Sequence, residues 1–233
     1  DLLFESDACA NELFSFGERV AATVDADISR LFVDLDRPHL ALPPAAGDGV
    51  IKKTTSQMKP VFRGGAFPDE IAIANLVERY YLPFHRAVDR MIRSGEIRCV
   101  IECHTMKAVA PPSAPDAGTP RPLVTVGTLA RKGSDFAGTC PDGLGRRLIE
   151  NIGGELAGED ATVAERFTLN RPLFCGALQE TYGLLGVPYL RIAVSRSLFF
   201  NDRHFNLEFL SFDELRLREL RERLWSAVKK SLP

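Results

Sequence analysis

A histidine two residues after a glutamate, Glu102-Cys103-His104, is the arrangement in this chain best suited to chemistry. It closes the apolar run 97–106, which reads as a strand. Side chains on a strand alternate, so Glu102 and His104 share one face. Both fall at the strand's carboxyl end, where open α/β sheets place their ligand sites. An imidazole there can take a metal ion while the carboxylate orients the ring or carries a proton. It can equally hydrogen-bond a loop. A rival set, Cys99, Cys103 and His104, has metal-ligand types but turns its cysteines away from His104. No second pair at zinc-finger spacing follows it, so buried thiols are the expected outcome.

Three further residues can act near such a centre. Asp7 precedes an apolar-periodic segment and can cap a helix or ligate. His85, in Tyr80-Tyr81-Leu82-Pro83-Phe84-His85, sits at the edge of an apolar face, where an interface histidine is also expected. Arg37, after the short apolar run 31–35, can grip a carboxylate with two parallel hydrogen bonds or form a structural ion pair.

The elements that must position these groups alternate in type. Apolar spacing predicts helices over 8–24, 69–92 (kinked or split at Pro83), 144–156 and 212–232. Strands are expected at 31–35, 97–106, 123–129 and within 187–200. The proline- and glycine-bearing segments 38–68 and 108–122 read as loops. The tail 212–232, with Leu215, Leu217, Leu220, Leu224, Trp225 and Val228 among charges, predicts an amphipathic helix on the body. The expected fold class is therefore α/β, one domain over 1–233 with a mostly parallel central sheet flanked by helices.

Composition narrows the function. A net charge of −2 gives no electrostatic argument for nucleic acid or anionic membrane. No run approaches the roughly 20 apolar residues of a membrane span. The opening residues lack the blocks of a signal peptide. Five scattered cysteines fit reduced thiols and a cytoplasmic setting better than a disulfide framework.

In order along the chain, Glu5-Ser6-Asp7, Phe32-Val33-Asp34-Leu35-Asp36-Arg37-Pro38, Asp48-Gly49-Val50-Ile51-Lys52, the His85 segment and Glu102-Cys103-His104-Thr105-Met106 form a recognisable series. The loop 133–140, then Asn170-Arg171-Pro172-Leu173-Phe174-Cys175-Gly176 and Ser195-Arg196-Ser197-Leu198-Phe199, complete it. Together they resemble the N-formylglutamate amidohydrolase family. Asp36 stands where that family usually has asparagine, and Glu102 where it usually has aspartate. The resemblance implies a fold similar to zinc carboxypeptidases and zinc-assisted hydrolysis of a small N-acyl (formyl) amino acid. It implies Asp7 and His104 as metal ligands, with Arg37, His85, Asn170 and Arg196 as substrate-binding or supporting residues. The family's opening strand and Pro-His segment would lie ahead of Asp1. Aligned on Pro188 and Ser195-Arg196, the family's Gln-Ile-Glu falls on Arg191-Ile192-Ala193. Alanine thus stands where the resemblance puts a catalytic glutamate, and Glu102 becomes the candidate for proton transfer. A catalytically impaired relative that binds a small molecule is the alternative expectation.

Overall fold

Strands β1 (Val100–Met106) and β4 (Tyr189–Ser195) are the framework on which the site is built. The computed structural model describes residues 2–64, 66–129, 138–141, 143–160, 162–173 and 175–232. Its main sheet runs β1-β4-β2-β3, with β2 at Val124–Gly127 and β3 at Phe167–Leu169. The β1–β4 and β2–β3 pairings are parallel and the β2–β4 pairing is antiparallel, so the sheet is mixed and mostly parallel, as expected. The two-residue strands β5 (Phe205–Asn206) and β6 (Ser211–Phe212) form a separate ribbon.

Every residue of β4 is buried, the charged Arg191 and the polar Ser195 included, so the strand is largely apolar and has no solvent face. One face of the sheet carries Leu190, Ile192 and Val194 into a core shared with the helices α5 (Leu144–Glu155) and α7 (Glu214–Ser231). Cys99 and Cys103 pack against this core, on the opposite side from His104 as the alternation requires. Helix α7 starts at its Asp213 cap, whose carboxylate accepts from the amides of Leu215 and Arg216. Leu217, Leu220, Leu224 and Val228 follow at helical spacing and are buried; Leu215, counted with them in the sequence, faces solvent.

The other face is covered by irregular chain and shorter helices. On the α7 side, the short helices α1 (Leu2–Glu5) and α2 (Ala10–Phe14) and a 3₁₀ turn, Gly17–Arg19, replace the long N-terminal helix expected over 8–24, with Leu13, Phe14 and Phe16 in the core shared with α7. Cys9 and Gly17 both adopt positive φ, which interrupts helical geometry, while Leu13, Phe14 and Phe16 still bury their side chains. The run 31–35 forms turns instead of a strand. Phe32 and Val33 both donate to the Ser29 carbonyl, and Asp34 reaches across to Val50.

The Pro83 interruption appears as a π-helical turn, Val77–Tyr81, between α3 (Glu70–Leu76) and α4 (Leu82–Arg93). There the Leu82 amide bonds to the Val77 carbonyl five residues back, a widened turn of the kind that accommodates the missing N–H of proline. Elements that escaped the sequence pattern include β3, α6 (Ala177–Tyr182) and the ribbon strands β5 and β6, all too short to show a period. No helix among the described residues is long and apolar enough to cross a membrane.

Candidate functional site

In the parallel register Glu102 lies opposite Arg191 and His104 opposite Ala193. Period-two alternation therefore puts Glu102, His104, Tyr189 and Arg191 on the face away from the α5–α7 core. His104 is clamped at both ring nitrogens. Its Nδ1 lies 3.0 Å from Asp7 Oδ2 and its Nε2 lies 2.5 Å from Glu102 Oε1. The other oxygen of Glu102 accepts from the Tyr189 hydroxyl at 3.0 Å. Arg191 Nη1 lies 3.2 Å from Glu102 Oε1 and donates to Asp36 Oδ2 at 2.9 Å. Asp36 Oδ1 accepts from the Leu178 amide at 3.0 Å, and its own amide bonds to Asp34 Oδ1 at 3.1 Å.

A second layer of charge surrounds this core. Arg30 spans Asp7, at 3.4 Å, and Asp34, at 3.1 Å. Lys52 Nζ lies 2.9 Å from Asp34 and 2.7 Å from Asp48. A cavity of about 1360 Å³ has Asp7, Arg30, Asp34, Asp36, Glu102 and His104 in its wall.

Opposing effects set the protonation of the cluster. Burial and the Arg191 charge oppose a proton on His104. The Asp7 charge and the hydrogen bonds to Asp7 and Glu102 outweigh them and raise its pKa to about 9. Burial drives the Glu102 carboxyl upward, but Arg191, His104 and Tyr189 bring it below its ordinary value. Asp7 and Asp34 are likewise penalised by burial and yet held well below the usual carboxylate range, chiefly by the Arg30 charge. The pairing is electrostatic compensation in a poorly solvated place.

The structure brings Asp7, Glu102 and His104 together, as the sequence reading placed them. The four residues expected to bind substrate do not join them in the cavity wall among the described residues. Arg196 is buried, donating to the carbonyls of Phe4 and Ser6 and, at 3.4 Å, to Thr105 Oγ1; it ties down the segment that carries Asp7. His85 Nε2 lies 3.0 Å from the Leu35 carbonyl, and its Nδ1 lies 2.9 Å from the Tyr182 hydroxyl. Because a carbonyl only accepts, the proton sits on Nε2. Burial lowers the pKa of this ring, and the Tyr182 hydroxyl lies between Nδ1 and the His85 carbonyl, to which it donates at 3.1 Å. His85 thus anchors the chain next to Asp36. Arg37 bonds to the Asp48 side chain at 2.9 Å and to the Asp48 and Asp36 carbonyls. Asn170, at φ 57°, accepts from the Thr128 amide at 2.7 Å and caps that turn. Of the resembling loops, residues 133–137 and Phe174 lie outside the described residues.

Asp36, Arg191, Tyr189 and Arg30 were not singled out as chemistry-bearing. Asp36 and Arg191 did register as departures from the family pattern, and that mismatch is the signal that marks them. Asp36, Glu102 and His104 offer ligand atoms that all lie within 4.8 Å of one another, a donor set of the kind that holds a divalent ion. Space is made for this packing by Gly176. A Cβ there would lie 1.9 Å from Arg191 Nη1 and 2.4 Å from Asp36 Oδ2.

Comparison with known proteins identifies the family and the fold. The family model for N-formylglutamate amidohydrolase matches residues 1–200. A crystal structure of N-formylglutamate amidohydrolase from Ralstonia eutropha JMP134 superposes on 98% of this chain and 83% of its own length, with a TM-score of 0.63 and 17% identity. The gene product Atu2144 from Agrobacterium tumefaciens covers 87% of this chain and 68% of its own, at a TM-score of 0.51 and 15% identity. No curated protein matches the chain. At these identities the superpositions carry the fold, and the family model carries the membership. With its motifs in order from Glu5 to Arg196 and a family match over residues 1–200, this chain belongs to the N-formylglutamate amidohydrolase family.

Proposed function

We propose that the chain is a metal-dependent amidohydrolase that cleaves the amide of a small N-acyl amino acid, with a formyl group as the first candidate acyl group. The observation that carries this is His104, fixed between Asp7 and Glu102 in the cavity wall with Asp36 within reach. The donors fit a divalent ion in type and spacing. When bound, an ion such as zinc polarises the amide carbonyl and acidifies a water. Asp7 and His104 are the residues that would hold it, as the resemblance implies, with the Asp36 and Glu102 carboxylates beside them.

The remaining roles belong to the protein's own groups. The protonated His104 ring donates from Nδ1 to Asp7 and from Nε2 to Glu102, and the two carboxylates fix its orientation. Glu102, with Oε1 beside Nε2, is the proton carrier from water to leaving amine. Arg30 is the group for the substrate carboxylate. It lies in the cavity wall, and its 3.4 Å contact with Asp7 is long for a charge-assisted bond, which leaves it exchangeable. Arg37 and Lys52 extend the positive charge around Asp34 and Asp48.

The test is formate release from N-formyl-L-glutamate, extended to a panel of N-acyl amino acids, with zinc or manganese supplied. Turnover lost in His104→Ala with the fold retained supports the proposal. One equivalent of bound metal without turnover on any member of the panel overturns it. That second result would favour a small-molecule-binding relative, a reading with one specific observation behind it. Ala193, opposite His104 in the β1–β4 register, puts a methyl group where the family resemblance places a glutamate.

A further inference from the structure

Arg86 and Arg90 lie one turn apart on the exposed side of α4, and neither has a carboxylate partner among the described residues. Arg90 Nε donates to the Arg86 carbonyl at 3.3 Å, which folds its side chain back toward Arg86. Asp89, the acid beside them, is already bonded to Arg93 at 2.8 Å. Like charges at this spacing on a helix repel. Both guanidiniums keep donors of the kind that grips a carboxylate or phosphate with paired bonds.

The two arginines line a cavity of about 670 Å³ between α4 and α6, in which Leu82, Pro83 and Tyr182 supply apolar wall. That volume falls within the roughly 300–1,000 Å³ of small-molecule sites. Among the described residues its wall shares none with the cavity around His104. The two helices are tied together here. The Tyr182 hydroxyl donates to the His85 carbonyl at 3.1 Å and lies 2.9 Å from His85 Nδ1. Each helix also holds the loop that carries Asp36. On α4, His85 Nε2 bonds to the Leu35 carbonyl, and on α6 the Leu178 amide donates to Asp36 Oδ1.

We propose that the cleft between α4 and α6 binds a small molecule carrying a carboxylate or phosphate beside an apolar body. Arg86 and Arg90 hold its anionic group, and the wall from Leu82 to Tyr182 takes the rest. A molecule that bridges the two helices favours the state in which both anchors of the Asp36 loop are closed, so its binding steadies that loop. The site is independent of the metal-dependent reading above, because none of its residues belongs to the His104 cluster.

The test is titration of the whole chain with phenyl phosphate and with phenylacetate, followed by amide NMR, with phenol as the uncharged control. At least one of the two anions should shift the amides of Thr181 and Tyr182 with a dissociation constant below about 1 mM, and the tighter of them identifies the preferred anionic group. Combining Arg86→Gln with Arg90→Gln, both at exposed positions, should weaken binding at least about 10-fold. Unchanged affinity in that variant, or phenol bound as tightly as the anions, overturns the site. So does the absence of shifts on α4 and α6 up to about 10 mM of either anion. With the anion at about ten times its dissociation constant, hydrogen exchange of the Leu178 amide should slow by roughly 3- to 10-fold. An exchange rate that stays the same with the site saturated refutes the link to the Asp36 loop.

Discussion

Gly176→Ala is a one-carbon perturbation aimed at the most crowded point of the site. Gly176 has φ −138° and ψ 173°, extended values that alanine adopts without strain, so any effect is steric. The new Cβ would lie 1.9 Å from Arg191 Nη1 and 2.4 and 2.5 Å from the two Asp36 oxygens. Restoring ordinary contact requires a shift on the order of 1.5 Å. That lengthens the 2.9 Å Arg191–Asp36 bond beyond useful hydrogen-bond range. Breaking a buried ion pair while leaving its partner in place costs roughly 3–5 kcal/mol. Partial relaxation of Arg191 puts the expectation near the lower end, about 3 kcal/mol, or about 6–12 °C in Tm for a chain of this size. The assay is urea unfolding followed by circular dichroism, with calorimetry for Tm. In an Arg191→Ala background the closest of these collisions is gone and only the Asp36 oxygens still crowd the new carbon, so the alanine should cost at least about 1 kcal/mol less there, a coupling measurable in a double-mutant cycle. A loss below about 1 kcal/mol, or the same loss in both backgrounds, refutes the steric account.

The other predictions use the same measurement. In EDTA-treated protein the raised pKa of His104 makes the protonated ring stabilising, fully so below the usual histidine value of about 6.5 and lost as pH rises through about 9. The stability advantage of wild type over His104→Gln should shrink across that window, and a difference that is flat or grows with pH excludes the clamp. Tyr189→Phe removes the hydroxyl donor 3.0 Å from buried Glu102 and should cost roughly 1–3 kcal/mol in urea unfolding. Leu220→Ala, at a fully buried position on α7, should cost about 2–5 kcal/mol, and a loss under 1 kcal/mol would mean that α7 does not pack on α5 as described.

How much of this was visible beforehand depends on the range of each interaction. Glu102 and His104 could be placed on one strand face because alternation is a local property of the backbone. Helix α7 was apparent because Leu217, Leu220, Leu224 and Val228 repeat at helical spacing over eighteen residues. The stretch 8–24 repeats its apolar residues similarly, yet Leu13, Phe14, Phe16 and Val20 pack as parts of separate short segments. Periodicity reported burial there and misreported the backbone, which turns at the positive φ of Gly17.

By itself the sequence determined the family, the Glu102–His104 strand and the nearness of Asp7 to that centre. Only the tertiary structure decided what completes the site. Arg191 and Tyr189 reach Glu102 because the parallel register of β4 on β1 places them there, and Asp36 arrives from a loop anchored by His85 at the Leu35 carbonyl. Strand register and loop anchoring depend on contacts between residues far apart in the chain, 155 positions for Asp36 and Arg191, and no local pattern encodes them. The same geometry puts Arg196, His85 and Asn170 to use as braces of the surrounding chain, each bonded to a backbone group and to a side-chain hydroxyl.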